Sequence, residues 1–430
     1  MQQYDSYKDS GVQWLGKIPS HWEMKRWRFL LTENKVKNTD CKEKIQLQFK
    51  YGDIVRKASQ DEDADMLETI SKYTVVKPDD IMINGLNLNY DFISQRVAQV
   101  REQGVITSAY VSLRPTSLAC SRYYTYFLKS MDFKKMFHGM GTGIRLTLSY
   151  NELKNQFIPF PSIEEQQAIA AYLDEQTSKI DTAIAQQQKM IDLLNERKQI
   201  IINRAVTKGL NPNAKMKDSG VEWIGEVNFS WKLYRLKHLL SSNLMYGANE
   251  SAESDDPSYP RYIRITDIDE NGKLKPDTFR SLPPVKAEPY LLKKGDVLFA
   301  RSGATAGKTF LFSEDFQACF AGYLIKAQLS EQLLPQYLMY FTHSGIYDNW
   351  RKGIFIQATI QNIGADKYAN LQIPLPTIEE QKEIISYLDE ETSKIDKVLN
   401  TYKSQISLLQ ERKQIIINEV VTGKVKVCNN

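Results

Sequence analysis

The sequence predicts an α+β protein in which two heads of mixed α/β structure are each followed by a long helix. The two helices are expected to form an antiparallel coiled coil with pseudo-two-fold symmetry. Residues 164–207 recur 215 positions later as residues 379–422, with 26 of 44 positions identical. A shorter segment, residues 8–16, recurs as residues 217–225. The chain between these repeats diverges, so one repeated frame carries two different heads.

Each long repeat carries the signals of a helix that starts and ends at defined positions. A proline precedes each repeat, and Ser162 with Glu165 and Thr377 with Glu380 form the capping-box pattern of a helix N-terminus. A glycine follows each repeat, as is typical of a helix C-terminus. The sequence therefore predicts two helices of about five heptads each.

Apolar residues in both helices recur with an average spacing of 3.5 residues, which is typical of a coiled coil. Because the helices are equal in length and each follows its own head, antiparallel packing of one helix on the other is the most economical arrangement. The alternative is that each helix packs only on its own head. The predicted seam consists of Leu173, Ile180, Ile184, Ile191, Leu194, Ile201, Leu388, Ile395, Leu399, Ile406, Leu409 and Ile416.

The heads show strand and turn patterns with one helix each. Strands are predicted at residues 97–100, 104–113, 262–265 and 295–300, and helices at residues 120–138 and 334–350. A weak equivalence relates residues 77–84 to residues 293–300, and each of these segments runs into a polar loop.

These signals divide the chain into successive segments. We predict a first box and head at 1–157, a first helix at 158–210, a second box and head at 211–372, a second helix at 373–425 and a tail at 426–430.

Composition predicts a soluble protein, because 42% of the 430 residues are hydrophobic and 25% are charged. No apolar run reaches the length of a membrane span and the N-terminus has no signal-peptide pattern, so a cytoplasmic protein without a membrane partner is expected. The net charge of +4 is concentrated in the heads, at +5 for 20–157 and +2 for 230–372. This balance is compatible with binding to nucleic acid.

Metal-binding and catalytic patterns are not evident. The cysteines lack metal-ligand spacing and are expected to be buried free thiols: Cys41, Cys120, Cys319 and Cys428. The segment 303–309 has three residues between its glycines, whereas a P-loop needs four. Asp79, Asp132 and Lys134 could be forced into a nuclease pattern, but they are better explained as solvated surface charges. A stand-alone nuclease or methyltransferase and a coiled-coil scaffold without a DNA role remain alternatives.

The duplicated Pro-x-x-Glu-Glu-Gln helix entry at 161–166 and 376–381 resembles that of the DNA-specificity (S) subunits of type I restriction–modification enzymes. The Glu-Arg-Lys-Gln-Ile run near each helix end and the Asp-Ser-Gly-Val-x-Trp box support this resemblance. Segments 262–268 and 295–303 are also similar to a target-recognition domain of that family. The first head departs most from the family pattern, because it lacks a clear Arg-x-Thr-Asp segment.

The resemblance implies a non-catalytic subunit that reads a bipartite, asymmetric site in double-stranded DNA, with one half per head. It implies that the helices set the spacer and dock two methyltransferase (M) subunits, through which motor-nuclease (R) subunits join. No metal or cofactor is expected in this subunit. S-adenosylmethionine, ATP and magnesium are expected in the partner subunits.

Reading base edges in the major groove requires polar side chains presented on loops. Arg301, which follows an apolar strand, could pair with guanine through two hydrogen bonds or bind phosphate, and a salt bridge to a neighbour such as Asp267 is the alternative. The candidates in the first head are Asn84, Asn87, Asn89, Thr107, Thr142 and Arg145. Those in the second head are Arg264, Thr266, Arg301, Ser302, Lys308, Lys352, Gln357 and Gln361.

Overall fold

The computed structural model describes residues 2–58, 64–90, 95–269, 272–356 and 361–427, without the side chains of Ala64, Ala304 and Ile356. The chain divides into two compact units. Unit 1 contains Met1–Gln188 with Lys403–Asn430, and unit 2 contains Lys189–Tyr402. We call residues 20–157 of unit 1 head one and residues 230–372 of unit 2 head two.

Unit 1 is organised around a four-stranded antiparallel sheet. Its strands are β1 (Tyr7–Asp9), β2 (Lys17–Pro19), β3 (Glu23–Arg26), β4 (Leu31–Glu33), β5 (Leu47–Lys50), β6 (Asp53–Arg56), β7 (Thr74–Val76), β8 (Ile81–Ile83), β9 (Val97–Gln99), β10 (Gly104–Ile106), β11 (Val111–Pro115) and β12 (Phe157–Phe160). Its shorter helices are α1 (Ala64–Ser71), α2 (Ser121–Phe133) and α3 (Tyr150–Leu153). The sheet has the order β4-β11-β8-β9, and the pairs β1-β2, β3-β12, β5-β6 and β7-β10 lie outside it.

The first long helix, α4 (Ile163–Lys208), follows head one directly, and the second, α9 (Ile378–Val421), follows head two. The strands of unit 2 are β13 (Met216–Asp218), β14 (Glu226–Asn228), β15 (Lys232–Arg235), β16 (Met245–Tyr246), β17 (Arg261–Ile263), β18 (Val297–Ala300), β19 (Thr309–Leu311), β20 (Ala318–Phe320), β21 (Leu324–Ala327) and β22 (Gln372–Leu375). Its shorter helices are α5 (Pro284–Ala287), α6 (Pro335–Thr342), α7 (Gly345–Ile356) and α8 (Ala365–Ala369).

The two units share one plan and differ in their additions. The sheet of unit 2 has the order β16-β21-β18-β19, which matches β4-β11-β8-β9 strand for strand, and β15-β22 matches β3-β12. Unit 1 adds the antiparallel pairs β5-β6 and β7-β10, whereas unit 2 adds the parallel pair β17-β20. The predicted repetition of the frame with two different heads is therefore present in the strands as well as in the helices.

Each long helix contributes one half to each unit, and the halves pack antiparallel. The core of unit 1 combines Ile180 near the start of α4 with Ile416 near the end of α9. The core of unit 2 combines Ile202 near the end of α4 with Leu388 near the start of α9. The expected antiparallel packing of the two helices is confirmed.

A repeated ion pair shows that the two units use the same contact between the long helices. In unit 1, Lys413 of α9 donates to Asp181 of α4 at 2.6 Å. In unit 2, Lys198 of α4 donates to Asp396 of α9, also at 2.6 Å. Because each residue lies 215 positions from its counterpart, the two pairs are the same interaction with the roles of the helices exchanged.

The predicted seam residues are withdrawn from solvent to different degrees. The fully buried members are Leu173, Ile180, Ile191, Leu388, Ile395, Leu399 and Ile416. The half-buried members are Ile184, Leu194, Ile201, Ile406 and Leu409.

The final glutamine of each Pro-x-x-Glu-Glu-Gln motif joins a head to its own long helix. Gln166 is fully buried; its side chain accepts a hydrogen bond from Cys120 N (2.8 Å) and donates to Leu118 O (3.2 Å) and Pro161 O (3.0 Å). The same three bonds recur in unit 2, where buried Gln381 contacts main-chain atoms of Leu334, Gln332 and Pro376. We call this arrangement the glutamine clamp.

A second repeated contact joins each head to the other long helix. Tyr123 of α2 donates its hydroxyl to Val421 O at 3.0 Å, and Tyr337 of α6 donates to Val206 O at 3.2 Å. Both rings are fully buried, and burial raises the pKa of each hydroxyl well above its usual range. Each head is therefore held by both helices.

Several sequence-based expectations for the heads are wrong in detail. The strand predicted at 104–113 is two strands, β10 and β11, because residues 107–110 form a turn closed by Tyr110 N and Thr107 O. The helix predicted at 334–350 is two helices, α6 and α7. The break allows Gly345 N to donate to Asn203 of α4 at 2.8 Å.

The capping box predicted at Ser162 is only half formed. Glu165 N donates to the Ser162 hydroxyl, but the Glu165 carboxylate accepts from Tyr4 Oη and contacts His21 Nε2. The second box is reciprocal, because Thr377 N also donates to Glu380 at 3.0 Å.

The expected burial of the thiols is correct only for Cys319, because Cys41 and Cys120 are half-buried and Cys428 lies outside the described residues. Asp132 is not the predicted surface charge; it is buried and accepts from Arg96 N at 2.8 Å. Asp79 is exposed, as expected. None of the described helices is both long enough and apolar enough to span a bilayer.

Candidate DNA interface

In head one, two loops that are distant in sequence lie side by side. Strand β8 ends at Ile83 and continues into residues 84–89, and residues 141–148 lie ahead of α3. Leu148 N donates to Gly85 O at 2.9 Å, and Leu88 N donates to Leu146 O at 3.1 Å. A Cβ on Gly85 would lie 2.3 Å from Leu148 O, so this close approach requires glycine. We call these paired loops the head-one tip.

Arg96 holds the backbone of the first of these loops in place. Its guanidinium donates to Asn84 O (2.9 Å), Leu86 O (2.7 Å) and Asn87 O (3.2 Å). The residue is buried, and three carbonyls that turn toward one cation fix the course of the loop. The loop side chains are therefore presented by a backbone that is held in place.

The head-one tip brings together five of the six predicted base-reading residues. Asn87, Asn89, Thr142 and Arg145 are exposed, and Asn84 is half-buried. Asn89 Nδ2 donates to Ile144 O at 3.2 Å, which links the two loops through a side chain. Thr107 lies in the turn ahead of β11. Because Val111 at the start of β11 pairs with Ile83 at the end of β8, this turn lies at the same end of the sheet as the head-one tip.

Head two has an equivalent pair of loops. Ile363 N donates to Arg301 O at 2.7 Å, and Gly303 N donates to Gln361 O at 3.0 Å. These bonds join residues 301–308, which follow β18, to residues 361–363, which lie ahead of α8. We call this pair of loops the head-two tip. It contains Arg301, Ser302, Lys308 and Gln361.

Arg301 is held rigidly but keeps its donors unused. Its guanidinium lies over the Tyr246 ring at 4.9 Å, and Tyr246 Oη accepts from Ala365 N at 2.9 Å. Arg301 N donates to Tyr323 O. Within the described residues the side chain makes no hydrogen bond, and its Nε is buried without a partner. The alternative of a salt bridge to Asp267 is wrong, because Asp267 pairs with Arg264.

The remaining head-two candidates lie outside the tip. Arg264 donates to buried Asp267 at 2.7 Å and to Thr278 O at 3.1 Å, so this guanidinium is engaged within the fold. Thr266 directly precedes Asp267, and its main-chain oxygen accepts a hydrogen bond from the Lys275 side chain. Exposed Lys352 lies on α7, whose Arg351 donates to Ala306 O. Gln357 lies outside the described residues.

Buried carboxylates support the strand that leads to each tip. Asp80 accepts from Lys77 N and forms two hydrogen bonds with Arg114, whose pKa is raised by this contact. Asp296 accepts in the same way from Lys293 N. Burial raises the pKa of the Asp296 carboxyl, against the opposing effect of the Lys293 hydrogen bond. Each carboxylate therefore stabilises the turn that precedes the strand leading to its tip.

The sequence offered few signals for some residues that shape the tips. Arg96 holds its loop by donating to backbone carbonyls, and Tyr246 holds Arg301 by stacking its ring against the guanidinium. Neither kind of contact leaves a local sequence motif. Ile144 is 98% exposed at the end of the second head-one loop, and only its exposure distinguishes it. Among the described residues, no group of three or more His, Cys, Asp or Glu side chains is placed to hold a metal ion.

The fold and these two tips define a class of protein in which two different heads are carried by a repeated helical frame. The family model described as the type I restriction modification DNA specificity domain matches residues 37–191 and 230–408. The chain therefore belongs to this family and is a non-catalytic specificity subunit of a type I restriction–modification system with DNA-recognition domains.

Individual relatives agree over most of the chain. It is 24% identical to the type I restriction enzyme MjaVIII specificity subunit of Methanocaldococcus jannaschii, with 96% of this chain and 95% of that protein covered. It is 21% identical to the EcoKI specificity subunit of Escherichia coli K12, over 73% and 67%.

A solved structure shows the same fold. It comes from work described as the structural basis of complex assembly and conformational transition of the type I R-M system. Its TM-score is 0.72 at 15% identity, with 95% of this chain and 99% of that one covered.

Proposed function

We propose that this specificity subunit reads a bipartite, asymmetric site in double-stranded DNA, with one half of the site read by each tip. The observation that supports this most is the unused guanidinium of Arg301, which is fixed by its backbone and by Tyr246. A rigid arginine with free donors can form two hydrogen bonds with O6 and N7 of guanine.

The difference between the tips supports unlike half-sites. Both tips are built from equivalent loops on equivalent sheets, but head one presents asparagine, threonine and arginine, whereas head two presents arginine, serine, lysine and glutamine. Side chains of different hydrogen-bonding capacity read different bases. A repeated frame with two different tips therefore suits an asymmetric target.

Replacing Arg301 tests this proposal. Arg301→Ala should cost about 1–3 kcal/mol of specific binding and relax discrimination at one base position, if the arginine reads a base. Arg280→Ala is the matched control, because Arg280 is an exposed head-two arginine outside the tip. Binding to the target duplex, identified by sequencing methylated adenines in the host genome, is measured against single-base variants at several salt concentrations.

The outcomes separate base reading from other roles. A uniform loss of affinity across all sequences, with the salt slope reduced by about one, would place Arg301 on a phosphate instead. Unchanged binding by a folded variant would remove Arg301 from the interface. A wild-type chain without salt-dependent duplex binding would favour the scaffold alternative.

We also propose that two copies of a methyltransferase subunit dock on the long helices. Leu193 and Ile200 of α4 are 47% and 58% exposed, and their counterparts Leu408 and Ile415 of α9 are 63% and 48% exposed. Each pair is seven residues apart and therefore lies on one helix face. Exposed apolar pairs that recur at both copies of the repeat offer two equal surfaces, which suits two copies of one partner.

In this proposal, adenine methylation, ATP hydrolysis and cleavage belong to the partners. The methyltransferase subunits would carry S-adenosylmethionine, and the motor-nuclease subunits that join through them would carry ATP and magnesium. The present chain would supply the target and the docking surfaces.

A further inference from the structure

Ile144 is placed where a water-soluble domain gains no stability from an aliphatic side chain. It is 98% exposed in the second loop of the head-one tip, and Tyr90, which directly follows the first loop, is 73% exposed. The neighbouring side chains Asn89, Thr142 and Arg145 are also exposed and are polar. An apolar side chain at this position contributes little to the fold of the free protein, and its neighbours are groups able to contact bases and phosphates.

The loop that carries Ile144 is stiff. Thr142 and Thr147 exchange two main-chain hydrogen bonds of 3.0 and 2.9 Å, and Leu146 N donates to Gly143 O at 3.1 Å. Leu146 has a φ of 41°, an unfavourable left-handed conformation for a bulky residue. The bonds to Asn89 and Leu88 attach this loop to the Arg96-supported loop beside it.

We propose that Ile144 is a wedge that enters a base-pair step of the half-site under head one and partly unstacks it. This inference depends on the proposed reading of DNA by the head-one tip. Proteins that bind the minor groove frequently insert apolar wedges between base steps and contact the groove with arginine, lysine or asparagine side chains. Arg145 and Asn89 provide such side chains here. A protein partner is less suitable, because an exposed aliphatic group ringed by polar side chains makes a poor interface core.

The wedge would give head one a second source of specificity. Steps of pyrimidine followed by purine unstack more easily than others, so the energy of insertion depends on the sequence of the step. Head one would then discriminate among steps whose base edges none of its polar side chains touches.

The test uses the full chain assembled with methyltransferase subunits and a duplex that carries the target site. 2-Aminopurine replaces the adenine, or pyrrolocytosine the cytosine, of each base pair of the half-site in turn, because the emission of these bases rises when stacking is lost. With the wild-type chain, emission should rise at one step that does not contain the adenine flipped out by the methyltransferase subunits. Ile144→Ala should abolish this rise and weaken specific binding about tenfold or more, as expected when an aliphatic side chain loses a fully buried contact.

Matched variants make the test specific. Ile144→Met retains a long apolar side chain and should preserve the emission signal. Val285→Ala removes another aliphatic side chain that is 84% exposed, but in head two, and should behave as wild type in this half-site. Because Ile144 makes almost no contact with the rest of the protein, its replacement should leave the melting temperature unchanged.

Specific binding without an emission change at any position other than the flipped adenine would overturn the wedge and leave the proposed function intact. The same holds if Ile144→Ala retains the wild-type emission and affinity. Absence of specific duplex binding by the wild-type complex would overturn both proposals.

Discussion

The glutamine clamp makes a sharp prediction about stability. Gln166→Met keeps the volume of the side chain but removes three hydrogen bonds, one to Cys120 N and one each to the carbonyls of Leu118 and Pro161. Each bond contributes about 1 kcal/mol net, so we expect a loss of about 3 kcal/mol in the free energy of unfolding of unit 1. The bond to the Pro161 carbonyl is buried, so loss of this partner adds the cost of a buried carbonyl without a hydrogen bond.

The effect is large enough for thermal unfolding to resolve. For a unit of about 200 residues, each kcal/mol shifts the melting temperature by about 2–4 °C, so the expected decrease is about 6–12 °C. Scanning calorimetry of the full chain measures this shift, and circular dichroism at 222 nm follows the helices in parallel.

The repeat supplies an internal check. Gln381→Met should destabilise unit 2 by a similar amount, because Gln381 makes the same three bonds. Gln186→Met, at an exposed position of α4, is the control and should leave melting unchanged. If both clamp variants melted within about 2 °C of wild type, the clamp would not be a stabilising element and the reasoning would be refuted.

Two further predictions concern the long helices. Ile191→Asp should lower the free energy of unfolding by about 3–5 kcal/mol in chemical denaturation, because it places a carboxylate at a buried seam position. Ile406→Asp should cost less, because Ile406 is half-buried. Unchanged denaturation midpoints in both variants would exclude the seam. Native mass spectrometry should show that Leu193→Glu releases one methyltransferase subunit and that Leu408→Glu releases the other. The control Val398→Glu changes an exposed position whose counterpart in α4 is alanine, and it should release neither subunit. Two retained subunits in both leucine variants would contradict docking at these surfaces.

The repeated frame was predictable because its signals are local. The capping residues, the seam and the flanking glycines specify the long helices within a few residues, and the 215-residue offset indicates that both helices occupy equivalent environments. The clamp residues Gln166 and Gln381 were visible as part of a motif. Their role could not be inferred, because it depends on main-chain atoms about 47 residues away in sequence.

The tips were predictable only in part. Polar loop composition identified most of the residues that the structure gathers at each tip, but composition cannot distinguish a free guanidinium from a paired one. Arg264 and Arg301 both follow apolar strands, yet Arg264 is consumed by Asp267 and Arg301 is not. The difference arises because the chain turns after Arg264 and places the buried carboxylate of Asp267, three residues later, against the guanidinium. No local sequence pattern reveals that Asp267 is buried.

The clamp also bears on how such a protein can change its target. In each unit the glutamine side chain contacts the head only through main-chain atoms, and the head residues at these contacts differ between the two copies, Leu118 and Cys120 in one and Gln332 and Leu334 in the other. Any head that offers one N–H and one carbonyl just ahead of the helix equivalent to α2 or α6 can form the same clamp. Recombination could therefore introduce a foreign head without a compensating change in the clamp glutamine, and under the proposed function the exchange of a whole head would change the DNA target.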